Sequence, residues 1–132
     1  MMAERKTITD KAFVSLVNVL KNFKLKCVPF NEAEIETGIE KHLNAKGFPV
    51  RRQVVLGKDR FDLVVGNIII EAKLRGFMNV AAQLDRYSVG SSGLILVCWR
   101  ATKPLKNLFR IAKNHSKIPV ELIEISKHCD VV

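Results

Sequence analysis

Apolar residues at helical spacing mark the first part of the chain. Residues 8–23 show this spacing and predict an amphipathic helix, with Thr9 and Asp10 as candidate caps. A second stripe of apolar residues follows Asn31, which is the candidate cap of a second helix, and Gly47 ends that helix. The chain is therefore expected to begin with two helices.

From Phe48 the period changes to that of strands. The runs VRRQVVL, RFDLVV and NIIIEAKL are short, rich in β-branched residues and separated by GK and GN, which predicts three consecutive strands. Helical spacing returns over residues 79–88, and the apolar run LILVCW then predicts a buried, central strand. Thr102 and Pro104 resemble a helix start, and VELIEI predicts a last strand. This order predicts an α/β fold with a mixed central sheet flanked by helices.

Composition and charge narrow the class of protein. A chain of 132 residues, 48% of them hydrophobic, fits one folded domain covering residues 1–132. Its net charge of +9 suits a phosphate-bearing partner such as nucleic acid, although basic proteins also meet acidic lipid. The 3 cysteines lie far apart, which predicts neither a disulfide framework nor a zinc site. With no signal-peptide pattern and no run of residues that could span a bilayer, we expect a cytoplasmic protein without a membrane partner.

The candidate chemistry lies in the second and third strands. Gly66 and Asn67 form a plausible two-residue turn, with Gly at the position that suits type II′, and this register places Asp62 opposite Glu71. Lys73 follows on the same face as both carboxylates. Two like charges in direct opposition repel each other, and a divalent cation is the usual remedy where carboxylate oxygens converge.

A second interpretation of the trio stays open. Asp62, Glu71 and Lys73 would also form an exposed ion-pair ladder on a solvated face of a hairpin. The segment IIIEAKL weakens this alternative, because it is apolar on both faces, as expected for an interior strand.

Several segments together resemble a known family. The string FDLVVGNIIIEAKL is similar to the core motif of the PD-(D/E)xK nuclease superfamily, and NEAEIETGIEKHLNAKGFPV is similar to the first core helix of archaeal Holliday-junction resolvases. The segment QLDRY resembles the Gln-x-x-x-Tyr element of RecB-like nucleases. The resemblance covers the predicted αβββαβ order of residues 32–100, and Phe61 stands where the name-giving proline often lies.

The resemblance implies a restriction-endonuclease-like fold, with an extra N-terminal helix, and a metal-dependent deoxyribonuclease activity. Magnesium or manganese would be held by Asp62, Glu71, Glu36 and the backbone carbonyl of Ala72. Lys73 would orient or deprotonate the attacking water, or stabilise charge on the phosphate. Glu40 lies one turn after Glu36 and is a rival for its role.

Further residues are predicted to contact DNA or to lie near the metal site. Gln83 and Tyr87 share a helix face. The resemblance implies that they lie near the metal site and touch Lys73 or the DNA backbone, with Gln83 as a catalytic residue and Tyr87 as a DNA contact; alternatively Tyr87 packs at the edge of the core and Gln83 lies at the surface. Basic residues of the hairpin and their neighbours are candidate phosphate contacts, favoured over the stripe on the later helix that runs from Lys103 to Lys113. The favoured residues are Arg51, Arg52, Lys58, Arg60, Arg75 and Arg86.

The resemblance leaves the substrate open. An endonuclease acting on branched DNA, such as a Holliday junction, would be a homodimer, since a four-way junction needs two symmetric cuts. A RecB-like exonuclease and a catalytically inactive nucleic-acid-binding protein of the same fold are the alternatives.

Overall fold

A computed structural model describes residues 2–25, 27–56, 59–76 and 91–125. The elements follow the predicted order, and the helix predicted over residues 79–88 lies outside the described residues. The elements are α1 (Met2–Lys21), α2 (Glu32–Ala45), β1 (Arg51–Leu56), β2 (Asp59–Val65), β3 (Ile68–Gly76), β4 (Gly93–Ala101), α3 (Lys103–His115) and β5 (Val120–Glu124).

The strands form one mixed sheet in the order β1-β2-β3-β4-β5. The pairs β1–β2 and β2–β3 are antiparallel, whereas β3–β4 and β4–β5 are parallel. This confirms the predicted mixed sheet. The run LILVCW in β4 is an interior strand, as its apolar character predicts, but β3 occupies the middle of the sheet.

Helices cover both faces of the sheet. The apolar sides of α1 and α2 pack on one face, which we call the α2 face, and α3 packs on the other, the α3 face. Alternation divides the strands between them, so that Ile70 and Ala72 lie on the α2 face and Ile69 on the α3 face. Within the described part of the chain, no helix is both long and apolar enough to cross a bilayer.

Local signals set most helix ends. Oδ1 of Asn31 accepts a hydrogen bond from the backbone N–H of Glu34 at 3.0 Å, so Asn31 caps α2 as predicted. Gly47, with φ of +89°, lies just beyond the end of this helix. The prediction for α1 was wrong in its start, because α1 begins at Met2 and contains Thr9 and Asp10. Residues 3–6, AERK, favour a helix and hold no breaker, so nothing stops α1 from extending.

Candidate functional site

The turn between β2 and β3 has the expected conformation. Gly66 has φ of +60° and Asn67 does not have positive φ, as a type II′ turn requires. The paired residues include Leu63 with Ile70 and Val65 with Ile68. The backbone pairing ends there, one step before Asp62 and Glu71, and these two residues are joined instead by a hydrogen bond to the Glu71 side chain.

At this pair the hydrogen bonds between β2 and β3 run from backbone N–H groups to side-chain carboxylates, and no longer from backbone to backbone. The backbone N–H of Asp62 donates to Oε2 of Glu71 at 2.9 Å, and the N–H of Ala72 donates to Oδ2 of Asp62 at 3.1 Å. Each carboxylate therefore reaches the backbone of the opposite strand. Because a peptide N–H stabilises an ionised carboxylate, the backbone provides part of the compensation that the sequence pattern assigned to a cation alone.

The pairing between β1 and β2 is interrupted at the same position. The paired residues include Arg52 with Leu63 and Val54 with Phe61, but the intervening pair, Gln53 with Asp62, is missing. Gln53 has φ of +52° and is the one non-glycine residue with positive φ in the described chain. Asp62 thus lies at a break in both ladders. No signal in the sequence marks the role of Gln53, since glutamine carries no preference for this conformation.

The break also changes which face Phe61 occupies. The alternation of β2 predicts Phe61 on the same face as Leu63 and Val65, and that prediction was wrong. Leu63 and Val65 lie on the α2 face, whereas Phe61 packs with Val64 on the α3 face. A residue in the left-handed region bends its strand and shifts its alternation, so the outer part of the β1–β2 hairpin is rotated relative to the rest.

Glu36 of α2 reaches the same break from the α2 side. Its side chain is buried, and its Oε1 accepts hydrogen bonds from Nη2 of Arg52 at 3.2 Å and from Nε2 of Gln53 at 3.0 Å. Glu40 is more exposed, and among the described residues its side chain contacts Nη1 of Arg52, at 3.5 Å. Glu36 is therefore the more buried of the two carboxylates and contacts both Arg52 and Gln53, and which of the two completes the site stays a prediction.

Lys73 lies two residues beyond Glu71 on β3, next to Cys98 of β4 in the register of the parallel pair. Burial raises the pKa of the Cys98 thiol to about 12, with Glu124 adding to the rise and Lys73 opposing it. Cys98 is therefore a neutral packing residue near neutral pH. In the described part of the structure, no hydrogen bond or ion pair engages the Lys73 ammonium, which leaves it available for an anionic ligand.

The carboxylate oxygens at this break in the ladders are of the chemical kind that binds a hard divalent cation. Asp62 and Glu71 offer carboxylate oxygens, and magnesium is commonly bound through one or two carboxylates together with water and substrate phosphate. A set of three acidic, histidine or cysteine side chains placed to hold a metal is not found among the described residues. Asp62 and Glu71 are thus the candidate pair, and the assignment of Glu36 and the Ala72 carbonyl as further ligands stays a prediction.

The residues predicted to contact DNA, together with Gln83, differ in where the structure places them. Arg51 and Arg60 are exposed on the β1–β2 hairpin, and Nη2 of Arg51 donates to the carbonyl of Gly66 at 3.2 Å. Arg52 is held inside the site by Glu36 and Glu40. Arg75 pairs with Arg100 along β3 and β4, and only its backbone is described. The remaining candidates, Lys58, Gln83, Arg86 and Tyr87, lie outside the described residues.

Comparison with protein-family models, with curated proteins and with solved structures finds no match to this chain. The resemblance to the PD-(D/E)xK superfamily therefore rests on the residues and the geometry described above, and it stays a prediction.

Proposed function

We propose that this chain is a divalent-metal-dependent nuclease of the PD-(D/E)xK type that hydrolyses phosphodiester bonds in DNA. The observation that carries the proposal is the opposed pair Asp62 and Glu71 at the end of a β-ladder, with Lys73 following on the same strand. The alternative, an exposed ion-pair ladder on a hairpin, would place these side chains in solvent. Instead Glu71 is buried, and each carboxylate accepts a hydrogen bond from the backbone of the opposite strand.

Each residue has a role in this chemistry. Asp62 and Glu71 would hold Mg²⁺ or Mn²⁺, which when bound polarises the phosphate and lowers the pKa of a coordinated water. Lys73 would orient the attacking water or stabilise charge on the phosphate oxygens. The water oxygen forms a bond to phosphorus and the bond from phosphorus to the 3′-oxygen breaks. That oxygen takes up a proton, so the products are a 5′-phosphate and a 3′-hydroxyl.

The substrate would be identified by measuring cleavage of DNA molecules of different structure. Cleavage of four-way junctions would accompany a homodimer, because a symmetric substrate needs two symmetric cuts. Cleavage restricted to DNA ends would instead indicate the RecB-like exonuclease. Light scattering after size-exclusion chromatography measures the oligomeric state independently.

The deciding experiment is a cleavage assay with Mg²⁺ or Mn²⁺ on linear, single-stranded, flapped, four-way and closed circular DNA. Glu71→Gln and Lys73→Ala are expected to lower the rate about 100-fold or more, since each removes a group that acts on the reacting phosphate or water. Matched controls are Glu121→Gln on β5 and Lys103→Ala on α3, which make the same substitutions away from the site and are expected to cut like the wild type.

Two results would contradict the proposal. If the wild type bound DNA but cut none of these substrates, the inactive DNA-binding alternative would replace it. If Glu71→Gln and Lys73→Ala both cut as fast as the two controls, any observed cleavage would not come from this site.

A further inference from the structure

Beyond the break at Gln53 the strands β1 and β2 pair again, and we call this part, residues 54–56 and 59–61, the outer hairpin. Its first pair, Val54 and Phe61, packs with the apolar cluster of the α3 face. The next pair, Val55 and Arg60, lies on the opposite face, because successive strand residues alternate. Val55 is 65% exposed and Arg60 is exposed as well. The outer hairpin therefore has one covered face and one open face.

The open face combines an apolar side chain with a positive charge. A single exposed valine needs no explanation by itself. Val55, however, lies directly opposite Arg60, whose guanidinium forms no salt bridge to a described residue. Arg51, at the start of the same strand, is exposed too. The complementary partner has both apolar and anionic groups, and duplex DNA offers them as the thymine methyl group and the phosphates.

The shape of the outer hairpin suits one of the two grooves. The major groove of B-form DNA is about 12 Å wide and admits a two-stranded ribbon, whereas the minor groove, about 6 Å wide, is too narrow without deformation. Arg60 precedes Asp62 by two residues, a span of at most about 7 Å. A duplex that takes the outer hairpin into its major groove therefore brings the phosphates of the groove wall close to the candidate site.

We propose that the outer hairpin enters the major groove of duplex DNA, where Val55 contacts the C5 methyl group of thymine and Arg60 contacts a phosphate of the groove wall. This inference rests on the proposed nuclease function and adds to it a class of substrate, DNA that is double-stranded next to the cleaved bond. Linear duplexes, flaps and four-way junctions have such an arm, and a wholly single-stranded molecule does not.

The test removes the thymine methyl group and leaves base pairing unchanged. Two duplexes of one sequence carry either thymine or uracil, which differ only in the C5 methyl group that the major groove presents. Fluorescence anisotropy in the presence of a chelator measures binding without cleavage. Val55→Ser removes the apolar group of the open face. The matched control, Val14→Ser, makes the same substitution at an exposed valine of α1.

The wild type is expected to bind the thymine duplex about 4-fold more tightly than the uracil duplex, the ratio given by burying one methyl group. For Val55→Ser the two affinities should agree within about 2-fold, because the contacting group is gone. Val14→Ser should keep the ratio of the wild type. A single strand of the same sequence should bind about 10-fold more weakly than the duplex, since it presents no groove.

Thermal denaturation shows whether both variants fold. The comparison of the two duplexes on the wild type needs no variant, so the contact remains testable if Val55→Ser does not fold.

Different outcomes overturn different claims. Equal binding of the thymine and uracil duplexes by the wild type overturns the groove contact, and full discrimination by Val55→Ser overturns the role of Val55. Tighter binding of the single strand than of the duplex overturns the class of substrate. All three results leave the nuclease proposal standing if the wild type cuts DNA with Mg²⁺ or Mn²⁺. A wild type that neither binds nor cuts DNA overturns both proposals.

Discussion

At the scale of single residues, Gly66 helps to set the register of the β2–β3 hairpin, which brings Asp62 opposite Glu71. It lies at the tip of the β2–β3 hairpin with φ of +60°, and a Cβ built there would meet no atom within 4 Å. The cost of a side chain at this position is therefore conformational and not steric. Because the turn length sets the register, Gly66 and Asn67 hold Asp62 opposite Glu71.

Gly66→Ala is expected to lower the free energy of unfolding by about 1 kcal/mol, because alanine is disfavoured at positive φ. Gly66→Asn should cost less, since asparagine tolerates the left-handed region. Urea denaturation measures both, with Asn67→Ala as the control in the same turn at a residue without positive φ. Equal stability of Gly66→Ala and Asn67→Ala would show that the turn does not require the observed conformation.

The sequence predicts the acidic pair Asp62 and Glu71, but it does not predict the hydrogen bonds that fix the two carboxylates. Asp62 and Glu71 follow from turn length and period-2 alternation, which are local properties of the chain. The exchange of hydrogen bonds between these carboxylates and the opposite backbones is not local, since it depends on where the strands separate. The left-handed conformation of Gln53 is likewise not predicted, because glutamine carries no preference for it and its side chain contacts Glu36, which lies 17 residues away in the sequence.

At the scale of elements, the close approach of α1 to β4 depends on a glycine. A Cβ at Gly93 would lie 2.5 Å from Cδ1 of Phe13, a distance that a ring within a packed core cannot relieve without moving. Periodicity predicted both elements, but it contains no information about which helix crosses which strand. The pairing of Phe13 with Gly93 is therefore known only from the structure.

Gly93→Ala is expected to destabilise the fold by about 1–3 kcal/mol, because the added methyl displaces the Phe13 ring. In a Phe13→Leu background the same substitution should cost clearly less, as the two positions are in contact. Thermal denaturation of the four proteins in this cycle gives the coupling. Additive effects of the two substitutions would show that α1 does not press on β4 at Gly93.

At the scale of the whole molecule, the excess of basic residues is unevenly neutralised. Of the stripe on α3, Lys106 pairs with Glu124 at 3.1 Å and Lys113 with Glu121 at 2.7 Å. Arg51 and Arg60 on the β1–β2 hairpin are exposed and form no salt bridge to a described residue. Lys103 and Arg110 on α3 are likewise exposed and form no salt bridge to a described residue, so each surface keeps two unpaired basic side chains. The hairpin is the favoured DNA surface because it adjoins the candidate site.

DNA binding should weaken as salt rises, and the hairpin should contribute most to that dependence. The double substitution Arg51→Ala and Arg60→Ala is expected to reduce the slope of log affinity against log salt by about 2, because each arginine neutralises one phosphate. The matched pair Lys106→Ala and Lys113→Ala should change the slope less. Fluorescence anisotropy at several salt concentrations measures the slopes, and the opposite ranking would move the DNA surface to α3.

The left-handed residue in β1 has a consequence for the solubility of the folded chain. β1 is an edge of the described sheet, and Val55 on it is 65% exposed, so its unpaired backbone groups could template the strand of another molecule. At Gln53 the regular row of donors and acceptors is broken, which stops an added strand from pairing along the full length of β1. The distortion at Gln53 therefore disfavours edge-to-edge aggregation through β1, and a regular strand at this position would lose that protection.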